Sequence, residues 1–371
     1  MFKKIAFWFL IWRVGLFFLA FLGQKIIPLK TDFLGVKEGV FLEKPLLWCW
    51  ANFDGFYYLT IAQRGYLQFQ QAFFPFYPFL IRFLAKLTKD YFTSGLLISH
   101  LSFLAALFLF YQLIRLDFEK KVAKRSLLYL LLFPTAFFFG SVYTESLFLM
   151  LVLASFLAAR KKQWLLAGIF GGLASAARFV GLFLFPALIA EWWQEKKEGQ
   201  NGKLVNLLPL FLIIFGFLAY TGYLQKTVSD PLFFIHVQSL LGAQRTGGKL
   251  ILLYQVFWRY WKMILTTKAD VLYFSVWLEL ISSLLFFILL VFSYFHFHFS
   301  YFIFMLLAYI TPTLTGTFSS MPRYVLVLFP GFILLALWAE KCRLLRILYP
   351  ILAIILTAVA VMLFTRGWWV A

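Results

Sequence analysis

The chain has 371 residues, of which 63% are hydrophobic and 22% aromatic while only 13% are charged. That balance excludes an ordinary soluble globular domain. The net charge of +19, from 34 basic and 15 acidic residues, lies largely in short stretches between apolar segments, so anionic lipid and membrane topology account for it and nucleic acid does not.

Repeated apolar stretches of roughly 17–22 residues predict an all-α integral membrane protein with about eleven spans. They predict a single membrane domain over 1–371, with a long first outer loop at 24–92 and a second outer segment at 224–270. Nothing reads as the short alternating segments of a barrel. Lys3 and Lys4 precede the first apolar stretch, Ile5 to about Gly23, which places the N-terminus in the cytoplasm. That stretch is long and is not followed by a small-residue cleavage site, so it reads as an uncleaved span. Arg13 sits in its middle and must face protein, a partner or water. Arg13 and Glu279, the latter in the eighth expected span, are candidates for an intramembrane ion pair.

The first outer loop holds the densest polar chemistry. Asn52 is positioned to cap a helix running to about Gln63. Asp54 falls in its first turn, where the helix dipole favours the carboxylate. Helical spacing puts Asp54, Tyr57, Tyr58, Ile61 and Gly65 on one face. A carboxylate beside phenols can hold a hydroxyl and take its proton, so Asp54 is the candidate general base. Pro75 and Pro78 break the backbone before Phe79–Leu87, which is amphipathic and basic on one side and reads as an interfacial helix.

Further along, Arg115, Lys120, Lys121, Lys124 and Arg125 mark a cytoplasmic turn. A third span is expected from Ser126 to about Gly140, followed by Tyr143-Thr144-Glu145 at the start of a fourth. Gly168, Gly171 and Gly172 allow close helix packing ahead of Arg178. The segment from about Leu224 to Asp270 carries Asp230, His236, Arg245 and Trp258-Arg259-Tyr260-Trp261. The ninth span ends in Met321-Pro322-Arg323-Tyr324, and the last in Arg366-Gly367-Trp368-Trp369.

In this topology Asp54, Glu145, Arg178 and Arg323 all fall near the outer face, the pattern of a shared polar cavity. Arg178 and Arg323, and more weakly Arg64, are candidate ligands for a phosphate. Tyr57, Tyr58, Tyr77, Tyr143, Tyr324 and Glu145 are candidate substrate contacts. No metal site is expected. The chain has no Asp-X-Asp, and His296-Phe297-His298 lacks acids or cysteines near it in sequence. It also has no phosphate-cradling glycine loop and no Gly-X-Ser-X-Gly elbow.

Four motifs carry a family resemblance. Trp50 through Tyr66, followed by Ala72-Phe73-Phe74-Pro75-Phe76-Tyr77-Pro78, is similar to the first outer-loop signature of the GPI mannosyltransferase II (PIG-V) family. Phe133-Pro134-Thr135 through Tyr143-Thr144-Glu145-Ser146-Leu147-Phe148, Ala177-Arg178-Phe179-Val180-Gly181, and Met321-Pro322-Arg323-Tyr324 with Phe329-Pro330 follow in family order. The resemblance implies a GT-C-like helical bundle acting as a metal-independent, inverting glycosyltransferase without cofactor. The implied donor is a polyprenyl- or dolichyl-phosphate sugar, with mannose the expected sugar and Asp54 the base. The acceptor would be a glycan, lipid or protein on the outer face, and the setting the plasma membrane of a prokaryote. Two other classes compete with this reading: a lipid-linked sugar flippase, which needs a polar path through the whole bilayer, and a non-catalytic assembly subunit.

Overall fold

A computed structural model describes residues 2–197, 203–240, 245–246, 249–268 and 270–371. Among them the regular structure is helical throughout. In chain order the helices are α1 (Phe2–Ile26), α2 (Glu38–Glu43), α3 (Pro45–Trp48), α4 (Asp54–Arg64), α5 (Phe76–Thr88) and α6 (Tyr91–Ile114). They continue as α7 (Lys120–Leu132), α8 (Glu145–Arg160), α9 (Trp164–Ala177), α10 (Leu184–Lys197), α11 (Phe211–Val228) and α12 (Phe233–His236). The last third holds α13 (Leu253–Thr266), α14 (Val271–His296), α15 (Phe299–Thr313), α16 (Met321–Tyr324), α17 (Phe329–Lys341) and α18 (Arg343–Thr365).

The expected apolar stretches are helical in whole or in large part, and the chain is an integral, multi-pass, all-α membrane protein. Five helical stretches among the described residues are long and apolar enough to cross a membrane alone: α1, α6, 204–228, α14 and α18. A sixth span results if the pair 321–327 and α17, bent by 83°, is taken as one. The remaining expected spans are shorter. The third shows why. Pro134 disfavours helical backbone at Phe133, so α7 stops at Leu132 and a buried 3₁₀ turn, Ala136–Gly140, completes the stretch. Irregular backbone at that depth is tolerated because protein surrounds it.

Burial sorts the helices. α8 is buried on nearly its whole circumference and forms the centre, packed by α6 and α9. α1, α14 and α18 expose apolar stripes, among them Phe7, Leu10 and Phe18 on α1 and Ile351, Ile354 and Ile355 on α18, which face lipid.

The glycines of α9 serve packing against α11. A Cβ on Gly216 would lie 2.1 Å from the carbonyl oxygen of Gly172, and one on Gly168 at 2.1 Å from that of Pro209. Ser175 Oγ then donates across the contact to the Ile213 carbonyl at 2.7 Å. Gly216→Leu is expected to force the pair apart and destabilise the fold by about 3 kcal/mol. A thermal midpoint equal to wild type in detergent would contradict this packing.

The two ends of α8 separate the charge. Its C-terminal Arg160 forks onto Asp117 at 2.6 and 2.8 Å and approaches Glu191 at 3.2 Å. His298 joins them, 3.5 Å from Glu191 and 3.9 Å from Asp117, so acids absent from its sequence neighbourhood arrive through the fold. Arg125 pairs with Glu340 nearby in the basic loops. Glu145 lies at the other end, about 24 Å away for sixteen helical residues.

Candidate functional site

The N-terminal end of α8 opens on a cavity of about 1300 Å³. Asp54, Glu145, Arg178 and Arg323, drawn from four separate parts of the chain, all line it. Tyr57, Tyr58 and Tyr324 line it too.

Local backbone explains how each charge is presented. Asp54 opens α4 after Phe53, whose φ of 56° is strained for a bulky residue. Ring contacts hold Phe53 there: Trp369 at 4.9 Å, and Phe33 and Phe364 at 5.6 Å each. Arg323 sits in the short α16, which follows Ser320 with φ of 70°. Both charged groups thus follow positions held in an uncommon backbone conformation, and surrounding contacts fix them. Arg178 lies at the end of α9, where the chain turns extended, and Glu145 at the first turn of α8.

These four charges form one network. Arg323 Nη1 donates to Asp54 Oδ2 at 2.5 Å, and its Nε lies 3.5 Å from Glu145 Oε1. Arg178 Nη1 donates to the same Glu145 oxygen at 2.6 Å. Glu145 is only 1% exposed, so two arginines compensate one deeply buried carboxylate. The Arg323 guanidinium also faces the rings of Tyr143, Phe138 and Tyr324 at 5.3–5.4 Å. Burial, and then the charge of Asp54, raises the Tyr57 phenol above its ordinary range, so it is a hydrogen-bond donor at neutral pH. Tyr58 is raised as well, by burial first and by Glu145 and Asp54 after it.

Several expectations change. Asn52 does not cap α4. Its Oδ1 accepts from the Gly35 amide at 3.2 Å and its Nδ2 donates to the Phe364 carbonyl at 3.0 Å, tying the first loop to α18. Gly65 closes α4 with φ of 85°, so its place is set by the turn that ends the helix. Arg64 is exposed and does not line the cavity, so it is not a phosphate ligand there. Tyr77 and Tyr143 are buried behind the wall. Tyr77 Oη bonds Ser99 at 2.8 Å and the Gly95 carbonyl at 3.0 Å, and Tyr143 Oη donates to the Asn52 carbonyl at 2.9 Å. They hold the scaffold and do not line the cavity. Arg13 and Glu279 do not pair. Arg13 lies over Trp50 and Phe17 at 4.2 and 4.4 Å, whereas Glu279 lines the cavity and accepts from Tyr260 Oη. Both sites were legible as costly intramembrane charges, but their neighbours were not.

A second group of cations has no role that the sequence alone assigns. Arg245, Lys249 and Arg259 line the same cavity. Arg245 donates to Gln238 Oε1 at 3.0 Å and Tyr324 Oη at 3.3 Å, and Arg259 to the Gly316 carbonyl at 2.9 Å. The signal was present as basic residues in the second outer segment, but charges there are also what an interfacial loop contains. In total the cavity presents five cationic side chains against three carboxylates, a net excess suited to an anion. Among the described residues no group of three or more His, Cys, Asp or Glu is placed to hold a metal ion.

The cavity reaches Asp54 and presents carboxylates and cations together, unlike the collapsed apolar surface expected of a non-catalytic subunit. Comparison with known proteins supplies the class. No curated protein and no solved structure matches this chain. Residues 72–220, which run from the first outer loop through Glu145 and Arg178 to α11, match the family model for dolichyl-phosphate-mannose-protein mannosyltransferases. The match does not single out the PIG-V branch. With the apolar helices, it supports a membrane glycosyltransferase of the GT-C type, mannosyltransferase-like.

Proposed function

We propose that this protein transfers a hexose, mannose by family likeness, from a polyprenyl-phosphate donor to a hydroxyl acceptor with inversion at C1. The observation that carries the reading is the meeting of Asp54 with Arg323, Arg178 and Glu145 in one large cavity. Asp54 takes the proton of the acceptor hydroxyl as that oxygen bonds to C1 from the face opposite the phosphate. The C1–O bond to phosphate breaks, and its electron pair leaves with the polyprenyl phosphate. The leaving group gains negative charge, and cationic side chains of the cavity stabilise it where a metal serves in other transferases. Arg323 orients Asp54 through Oδ2, and Glu145 fixes both arginines. The positive-inside pattern supports a cytoplasmic N-terminus, with this cavity on the outer face of a prokaryotic plasma membrane.

The test is transfer by the purified protein in membranes, using radiolabelled polyprenyl-phosphate mannose and candidate glycan, lipid and protein acceptors. Transfer should proceed unchanged in excess chelator. Loss of activity on chelation, restored by a divalent cation, would remove the metal-independent mechanism.

A further inference from the structure

Arg13 is a buried charge that the mechanism above does not use. It is 6% exposed, and none of its three guanidinium nitrogens meets a hydrogen-bond partner among the described residues. It lies in the middle of α1, where such a group is costly. Its surroundings are aromatic, with the rings of Trp50 and Phe17 at 4.2 and 4.4 Å. Gly140 closes in from another segment. A Cβ there would stand 2.7 Å from Arg13 Nη1 and 3.3 Å from Cζ, so any side chain at 140 pushes the guanidinium aside.

Trp50 stands four residues before Asp54, and Gly140 five before Glu145. The two segments that they begin are stitched together. The Val142 amide donates to the Trp50 carbonyl at 2.9 Å, and Tyr143 Oη donates to the Asn52 carbonyl at 2.9 Å. Tyr58 Oη and Thr144 Oγ1 share a hydrogen bond at 3.4 Å. Trp50 itself is fully buried, its indole N–H donating to the Leu46 carbonyl at 3.0 Å. Arg13 therefore packs at the root of both segments that present carboxylates to the cavity.

We infer that Arg13 is a positioning residue: its guanidinium, held against the Trp50 ring and Gly140, fixes the register of the segments that deliver Asp54 and Glu145. This rests on the transferase reading above. Attraction between a cation and a ring face is strongest where water is excluded, and it holds the cation over the ring. An apolar side chain would occupy the same space without that demand and would be less costly to bury. The charge thus lowers stability while it sets geometry. A residue that served the fold alone would do the reverse.

The experiment compares thermal unfolding in detergent with transfer from polyprenyl-phosphate mannose, using the full chain. Arg13→Met is expected to unfold at or above the wild-type midpoint. Its kcat should fall roughly ten- to a hundred-fold with little change in donor KM, the pattern of misplaced reacting groups. Arg13→Lys should recover part of kcat, since the charge returns without the planar fork. Gly140→Ala should also lower kcat by displacing the guanidinium, but should add little further loss in an Arg13→Met background. Wild-type kcat in Arg13→Met overturns the inference and leaves the transferase reading standing. A midpoint below wild type in Arg13→Met assigns the residue to the fold and overturns it, whatever the activity. Fully additive losses in the double variant overturn the coupling through Gly140, and with it the positioning role. Wild-type protein that transfers sugar to no acceptor overturns both readings.

Discussion

Asp54→Asn is expected to lower sugar transfer by roughly 10²- to 10⁴-fold, the range lost with a positioned general base. The substitution keeps the shape of the side chain and an oxygen that can still accept from Arg323, while Arg323 retains its approach to Glu145. The protein should therefore insert, fold and bind donor normally, and the loss should appear in kcat. Turnover near that of wild type would remove Asp54 as the base and return the pocket to a binding role. A parallel loss of donor binding would mean that the carboxylate acts by organising Arg323.

Glu145→Leu is expected to destabilise the fold by about 3–5 kcal/mol, since it removes one partner of a buried ionic network. Arg178 loses the carboxylate that it meets at 2.6 Å, and Arg323 is left with Asp54 alone. Glu145→Gln should cost less because the amide oxygen still accepts. In the double variant Glu145→Leu with Arg178→Leu, the loss should be smaller than the sum of the single losses, because the uncompensated, partly buried cation is removed with its partner. Thermal unfolding in detergent measures all three. An unchanged midpoint in Glu145→Leu would show that the bridge contributes nothing to the fold, and that cavity water satisfies the arginines.

The contrast between Asp54 and Arg245 shows what could be read without coordinates. Asp54 stood out because a lone carboxylate among tyrosines and glycines is conspicuous in an apolar chain. Arg245 and Arg259 did not, because basic residues in a loop beside a membrane have a sufficient explanation in lipid headgroups. Spacing along α4 foretold that Tyr57 and Tyr58 would share the face of Asp54, but not that Tyr143 would turn away to support the loop at Asn52. Helical spacing reports neighbours on one helix and is silent on which side of a turn a side chain lies.

The amino-acid sequence by itself determined the class: a multi-pass helical membrane protein, with basic turns at one end and Asp54, Glu145, Arg178 and Arg323 near the other. Bilayer thickness and the cost of unpaired backbone set those features through composition and segment length, which are local properties of the chain. Only the tertiary structure decided which charges neutralise one another. It paired Asp54 with Arg323 and Glu145 with Arg178, separated Arg13 from Glu279, and gathered Arg245 and Arg259 into the same cavity. Those pairings depend on contacts between segments up to 269 positions apart in sequence, and such proximity follows from packing that no periodicity along the chain records.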